Sequence, residues 1–349
     1  MLFRLGRCLQ ANQLDFLRKI FILKQVYFCL WWKFSVNQTN KQTTMKTKLL
    51  SIASLLAVLN VNAIEIGPTG SGVEMSGFID IQSSKQGSDT ETTGAQVELN
   101  FNYSTGPVSA AVGLDFGAIS AFGDAAADSN LEEAYITYDF GNGFSVTGGR
   151  MLSYMGFEAF DPTNMYQFSY AYDILGAQDI YDAYDYGASI DYATDAFSVG
   201  VWSSLEANAG YELALAFTGV ENFTAKAIWS DFTASDDYEK STYWISYQLD
   251  KLLLAAEVAE FDSVAGDDIE GFLIMGNYAV SDAIGLTLRY SEEEITGAAT
   301  YEGSKFTISP SYVFTDNLSG LLEYSSYDKD SGTIAEPEEL IAAEVIFTF

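Results

Sequence analysis

Residues Gln96–Tyr103 read QVELNFNY, and the pattern of this stretch decides the fold class. Apolar side chains stand at every second position from Val97 to Tyr103, and polar side chains stand between them. A period of two is the period of a β-strand that has one apolar and one polar face. The stretch therefore predicts a strand that separates an apolar from a polar environment.

The same period runs through almost all of the chain after residue 63. About sixteen runs show it, and they are residues 73–82, 94–103, 107–116, 132–140, 144–151, 184–192, 197–204, 211–218, 223–231, 240–249, 252–261, 268–279, 284–291, 305–314, 318–327 and 338–349. Most runs have eight to twelve residues, enough for a strand tilted by about 45° to cross a bilayer. No apolar run after residue 63 reaches the roughly 20 residues that a membrane-spanning helix needs.

Short and long connections alternate between these runs. Short ones, such as Gly141-Asn142-Gly143 and Thr315-Asp316-Asn317, carry the residues of tight turns. The long ones are residues 83–93, 117–131, 152–183, 205–210, 232–239, 262–267, 292–304 and 328–337. This alternation is typical of outer-membrane barrels and not of soluble sandwiches. We therefore predict an all-β fold, a single transmembrane antiparallel β-barrel over residues 64–349 with about 16 strands, short periplasmic turns and longer outer loops.

Charge is distributed unevenly along the chain. Residues 1–63 hold nine Lys/Arg and one acid, a net charge of +8. Since the net charge of the whole chain is −31, residues 64–349 carry a net charge of −39. Such a surface repels nucleic acid and attracts cations. The chain has no His, and its two cysteines are Cys8 and Cys29. Catalysis by His, a thiolate zinc site and a disulfide within the body are therefore excluded, and no cofactor is predicted.

The N-terminal region predicts a secretory signal peptide at residues 45–63. Met45–Lys48 is basic, Leu49–Leu59 is apolar, and Val61-Asn62-Ala63 is a small-residue cleavage site. A transmembrane helix is the alternative, but the apolar segment is too short for one. Residues 1–44 are then interpreted as a non-native extension that results from a start codon assigned too early, with a long leader as the alternative.

The last predicted strand, residues 338–349, ends in EVIFTF. It resembles the C-terminal targeting strand of bacterial outer-membrane barrels, which the barrel-assembly machinery recognises. The residues that carry this expected assembly signal are Val345, Phe347 and Phe349.

Further motifs resemble the OmpL-like (β-barrel porin-2) class of bacterial porins. They are Gly77-Phe78-Ile79-Asp80, Leu131-Glu132-Glu133-Ala134-Tyr135, Gly149-Arg150, Gly156-Phe157-Glu158, Asp161-Pro162-Thr163-Asn164 and Phe168-Ser169-Tyr170. The resemblance implies an outer-membrane pore, and porin analogy suggests a homotrimer. Many general porins carry a ladder of arginines at the narrowest point of the pore. Basic residues on the polar faces are scarce here. The electric field that such arginines usually create across the pore is therefore in question for this chain.

The connection 152–183 occupies the position of the third outer loop, which in general porins folds into the barrel and sets its width. Its length indicates function, and its many aromatic residues argue against disorder. Carboxylates in a narrow passage favour cations. The predicted constriction acids are Glu158, Asp161, Asp173, Asp179 and Asp182. The alternative is that these acids are solvated on an outer loop.

Alternation also places charged side chains on the polar faces of the strands. The predicted lumen-lining residues are Glu98, Glu133, Asp139, Lys226, Glu257, Arg289 and Glu344, with Lys226 and Arg289 as the clear bases. Arg150 is ambiguous, because alternation turns it outward whereas a bulge at Gly148-Gly149 would turn it inward.

Three segments, Asp231–Glu239, Asp262–Asp268 and Ser291–Glu294, are dense in acids and predicted as loops. Calcium or magnesium could bridge them to lipopolysaccharide phosphates, but no spacing matches an ordered calcium loop, so solvated loops are favoured and no metal site is predicted. The predicted partners are outer-membrane lipid, lipopolysaccharide, small ions and solutes.

The leading functional hypothesis is a passive, cation-preferring porin for small polar solutes. A plugged structural or adhesive barrel is the first alternative, because a barrel with fewer strands would be filled by its own side chains. An outer-membrane enzyme is the second, since abundant acids leave an acid-pair protease open, although no spacing identifies a pair.

Overall fold

A computed structural model describes part of the chain. The described residues are 63–117, 130–175, 180–205, 210–233, 238–263, 266–329 and 339–349. They belong to one compact unit, Leu49–Phe349. The extension predicted at 1–44 and all but the last residue of the signal peptide predicted at 45–63 lie outside the described residues, so both stay predictions.

Strands make up most of the described chain. They are β1 Ile64–Glu65, β2 Val73–Gln86, β3 Thr92–Thr105, β4 Val108–Phe116, β5 Leu131–Asp139, β6 Phe144–Leu152, β7 Tyr184–Ala193, β8 Phe197–Ser204, β9 Tyr211–Val220, β10 Phe223–Asp231, β11 Tyr238–Leu249, β12 Leu252–Ser263, β13 Asp268–Ala279, β14 Ile284–Thr296, β15 Thr300–Thr315, β16 Leu318–Lys329 and β17 Glu339–Thr348. One 3₁₀ turn spans Pro162–Asn164. Within the described ranges, no helix has the length and apolar character needed to cross a membrane.

Strands β2–β17 form a closed antiparallel barrel, which confirms the predicted fold and strand number. Each strand pairs with the next one in sequence, and β17 pairs with β2 in a register that sets Val345 opposite Ile81. The short β1 pairs with the start of β2. At the chain end, Phe349 and Gly77 exchange two backbone hydrogen bonds of 3.0 Å. Closure pairs strand edges that would otherwise stay open.

The two faces of the barrel have opposite character. On β17, Ile341, Val345 and Phe347 face outward and are exposed, whereas Glu344 faces inward and is buried. On β14, Leu288 is exposed outward, while the inward-facing side chains include charged ones. An apolar exterior around a polar interior is the arrangement of a barrel that lipid surrounds.

Aromatic rings meet beside the short turns, both between neighbouring strands and along a single strand. The ring centroids of Phe144 and Tyr192 are 4.5 Å apart, and those of Tyr312 and Phe314 are 4.9 Å apart. Rings at strand ends form the aromatic girdle of membrane barrels, at the level of the lipid headgroups.

The prediction of a long loop at residues 292–304 is wrong. Strand β14 continues to Thr296 and β15 begins at Thr300, so three residues connect them. Ser291–Glu294 therefore belongs to a strand, and Glu293 is buried inside the barrel. Three successive acids, Glu292–Glu294, hid the period of two, because residues of the same polarity occupy both faces there.

Candidate functional site

The connection between β6 and β7, residues 153–183 (described as 153–175 and 180–183), packs inside the barrel; we call it the inner loop. Its side chains Ala171, Ile174 and Ile180 are at most 1 % exposed. They pack in one apolar cluster with inward-facing wall residues, including Ala259 and Leu273. Burying apolar area holds the loop against the wall, at about 25 cal/mol per Å².

Two glycines of the wall make room for this contact. A Cβ at Gly271 of β13 would lie 2.6 Å from a ring carbon of Tyr172, and one at Gly303 of β15 would lie 2.6 Å from Ile174 Cγ2. Both distances are shorter than the closest approach of two non-bonded carbon atoms. The absence of side chains at these two positions therefore lets the loop lie directly on the wall.

Arg289 of β14 is the central polar anchor of the inner loop. Its Nη1 lies 2.5 Å from Glu158 Oε1 and donates to the carbonyl oxygen of Ser169 at 2.7 Å. Its Nη2 donates to the carbonyl oxygen of Tyr170 at 3.1 Å. The second oxygen of Glu158 accepts the amide of Ala171 at 2.7 Å. A planar guanidinium can make several such bonds at once, which an ammonium group cannot do in one plane.

Lys305 and Glu323 anchor the neighbouring part of the loop. Lys305 Nζ lies 2.7 and 2.8 Å from the two carboxylate oxygens of Asp173 and donates to the Tyr170 carbonyl at 2.8 Å. Glu323 Oε2 accepts the backbone amides of Phe168 and Ser169 at 2.7 and 3.0 Å. The wall thus provides partners for backbone groups that a buried loop could not otherwise pair.

The two ends of the loop are also attached. Tyr154 donates its backbone amide to Glu212 at 2.9 Å and its hydroxyl to Asp191 at 2.8 Å. Lys240 Nζ lies 2.5 Å from Asp182 Oδ1. Between the ends, Glu293 accepts the amides of Ile174 and Leu175, both at 2.9 Å.

Glu257 of β12 completes the contacts by accepting the hydroxyls of Tyr172 and Tyr181.

A family model described as "Putative beta-barrel porin-2, OmpL-like" matches residues 75–340. The chain belongs to this porin family. It is therefore an outer-membrane porin, and the resemblance found in its sequence motifs is confirmed.

Solved structures share the fold of this porin. OmpT of Vibrio cholerae, expressed in the outer membrane, matches with a TM-score of 0.60 and 16% identity over 82% of this chain and 100% of that chain. The outer membrane channel DcaP of Acinetobacter baumannii matches with 0.58 and 13% over 82% and 100%. An anion-selective porin from Comamonas acidovorans matches with 0.58 and 14% over 79% and 99%. A comparison with curated protein sequences finds no match.

The predicted constriction acids of the porin are placed in two environments. Glu158, Asp173 and Asp182 are each paired with a base of the wall. Asp161 instead lies with Glu98 and Glu132, and their carboxylates approach one another. Burial raises the pKa of Asp161. Asp179 lies outside the described residues.

The predicted lumen-lining residues lie mainly on the inner face of the porin wall. Glu98, Glu257, Arg289 and Glu344 are buried there, and Glu133 lies beside Gly113 of the neighbouring strand. Lys226 faces the same side of β10 as the buried Ile228 and Ser230. Asp139 alone of the set lies outside the barrel interior. Lys226 is half-buried, with Nζ 5.2 Å from the Trp244 ring, and Asp139 is exposed at the end of β5, where its carboxylate accepts the Gly141 amide at 2.7 Å.

Several anchors of the inner loop are not among the residues predicted from the sequence. The missed residues are Lys240, Lys305, Glu212, Glu293 and Glu323. Lys305 alternates with Phe306 and shares its face with Thr307, so the period of two would have placed it inside. It was missed because the strand was predicted to begin at Lys305, whereas β15 begins five residues earlier, at Thr300.

Proposed function

We propose that this porin passes small polar solutes and ions by passive diffusion, without enzymatic activity, and that it prefers cations. A closed barrel of sixteen strands is wide enough for an aqueous channel. The inner loop occupies part of that space and narrows it on the side of β12–β16, where its apolar cluster packs.

The balance of interior charge carries the proposed cation preference. The bases Lys240, Arg289 and Lys305 are already paired with acids of the inner loop. Inward-facing acids that form no salt bridge with a Lys or Arg of the described chain include Asp80, Glu98, Asp115, Glu133 and Glu344. An excess of carboxylates in a confined passage attracts cations and repels anions. The anion-selective porin of Comamonas acidovorans shares the fold, so the sign of selectivity depends on such charges and not on the barrel.

Two further parts of the proposal concern chemistry and assembly. The chain has no His, so a Ser-His hydrolase mechanism has no base, which supports a channel without catalysis. One structure with the same fold is described as the trimer form of OmpT from Vibrio cholerae. We infer that this porin assembles as a homotrimer in the same way.

The experiment is a bilayer recording of the porin purified from outer membranes. Conductance is measured in steps as single molecules insert, and the reversal potential is measured across a KCl gradient. We expect stepwise conductance and a potential of the sign that K⁺ selectivity produces. A potential of the opposite sign would overturn the cation preference and leave the porin function intact.

A plugged structural or adhesive barrel is the second candidate, and the fully buried apolar side chains of the inner loop favour it. In that case many insertions give no conductance steps, although the protein is folded. The same recording therefore separates the two candidates.

A further inference from the structure

A β-bulge turns two successive carboxylates of β5 toward the barrel interior. In the pairing of β4 with β5, Gly113 lies opposite Glu133, but the next residue, Leu114, lies opposite Leu131. Glu132 is therefore the extra residue of the bulge. Bulges interrupt the alternation of faces and redirect side chains, and here Glu132 and Glu133 both point inward instead of to opposite sides.

Three carboxylates from separate elements meet at this bulge. Glu98 of β3, Glu132 of β5 and Asp161 of the inner loop each bring one carboxylate oxygen to within 4.8 Å of the others. Glu133 follows Glu132 on β5, and Asp115 of β4 lies directly opposite Glu98 in the β3–β4 ladder. The chain thus concentrates negative charge from three strands and a loop at one place on the wall.

Glu98 has one buried carboxylate oxygen that no protein group satisfies among the described residues. Its side chain is 3 % exposed. Oε1 accepts the Asn100 amide at 2.5 Å, whereas the buried Oε2 has no hydrogen-bond partner among the described residues. Leaving a buried carboxylate oxygen unpaired is costly, so such an atom points to a ligand.

No base of the described chain neutralises these acids by a salt bridge. Arg150 is adjacent, but its Nε donates to the backbone oxygen of Glu132 at 2.8 Å, and its guanidinium lies 5.6 Å from the ring centroid of Tyr186 on the outer face. The connecting residues 118–129 contain no Lys or Arg in their sequence. Carboxylates at such spacing cannot all stay charged without a cation.

We propose that Glu98, Glu132 and Asp161 bind a hard divalent cation, with calcium as the ion that fits best. Calcium takes oxygen ligands at about 2.3–2.6 Å, so two of its ligands can be as much as about 5 Å apart. Magnesium requires near-octahedral geometry and is usually bound through one or two carboxylates with several waters, so a site of three carboxylates suits it less. A set made only of carboxylates also disfavours softer metals, which prefer imidazole and thiolate.

The ion would attach the inner loop to a second part of the wall. Arg289 and Lys305 hold residues 158–173 to β14 and β15, and the ion would hold Asp161 to β3 and β5. No spacing of acids close together in the chain predicts this metal site, because its ligands are up to 63 residues apart. The proposal does not depend on cation selectivity, since it concerns binding and not permeation.

The test is calorimetric titration with CaCl₂ of the porin purified from outer membranes in detergent, after metal removal with EDTA. We expect one saturable site that is distinct from weak binding to exposed acids. The variants E98Q and D161N should each weaken it by at least about tenfold, since even loss of a supporting residue costs that much. E302Q is the matched control, because Glu302 is an exposed acid outside the cluster. The unfolding temperature of the wild type should rise with calcium, and this rise should be lost in D161N.

Titration with MgCl₂ checks the choice of ion, and we expect weaker binding than with calcium. Heat-modifiable migration on gels shows whether each variant is folded, and D161N alters the loop alone, so it decides the matter if E98Q does not fold. Unchanged calcium binding in D161N would overturn the proposal and assign the ion to surface acids. Absence of a saturable site in the wild type would also overturn it and indicate that the carboxylates share a proton instead.

Discussion

Arg289 and Glu158 form an ion pair inside the barrel, with Nη1 2.5 Å from Oε1 and side chains that are 0% and 2% exposed. The pair joins strand β14 to the inner loop, whose residue Glu158 precedes Arg289 by 131 positions. Because the same guanidinium also binds the carbonyl oxygens of Ser169 and Tyr170, one wall residue fixes two stretches of the loop.

The variant R289M should release the inner loop. It leaves Glu158 buried without its cation and frees two loop carbonyls, and removal of one partner of a buried pair costs about 3–5 kcal/mol. We expect a lower unfolding temperature in detergent and larger or less steady single-channel currents in bilayers. K85M is the control, since it removes an exposed base of β2. Equal behaviour of the two variants would show that the anchor has no effect on the pore.

Lys305 and Asp173 should show energetic coupling. The Lys305 side chain is fully buried and the Asp173 side chain is 32% exposed, so solvent weakens the pair only in part. In a cycle of K305M, D173N and the double variant, we expect coupling of about 0.5–3 kcal/mol in the free energy of unfolding. The cycle of K85M with D316N, on strand β2 and an opposite turn, should show none. Additive effects in the first cycle would mean that the close approach contributes nothing to stability.

Strand positions could be predicted from the sequence because the period of two is a local property. The predicted runs 197–204, 223–231 and 268–279 coincide with β8, β10 and β13. The prediction was wrong where local polarity carries no period, as at Glu292–Glu294. The bulge at Glu132 was equally hidden, since a single inserted residue shifts the register only relative to the neighbouring strand.

The partners of the inner loop could not be predicted in the same way. The loop has no regular period, and its anchors stand far away in the chain: Lys305 follows Asp173 by 132 positions. The acids of the loop were recognised, but their charge state in the structure depends on which wall residue each one meets. Glu158 meets a base, whereas Asp161 meets two further acids.

The variant G271V should displace the inner loop from the wall. Even a Cβ at Gly271 would overlap the ring of Tyr172 and approach Ile180, so a larger side chain forces the loop inward. We expect destabilisation of about 1–3 kcal/mol, typical of overpacking, together with a changed single-channel conductance. G276V is the control on the same strand, where a Cβ would make only ordinary contacts. If G271V conducts like the wild type, the loop does not set the width of the pore at this point.

The double variant D80N/E344Q should reduce the cation preference of the pore. Asp80 and Glu344 lie on the inner faces of β2 and β17, and neither forms a salt bridge with a Lys or Arg of the described chain. Removing up to two negative charges weakens the attraction of K⁺ relative to Cl⁻ in the passage. We expect the reversal potential in a KCl gradient to move toward zero, with stepwise conductance retained. The control E302Q/D316N neutralises two exposed acids and should leave the potential unchanged. If the control shifts the potential as much as D80N/E344Q does, selectivity depends on the overall charge of the protein and not on the inner wall.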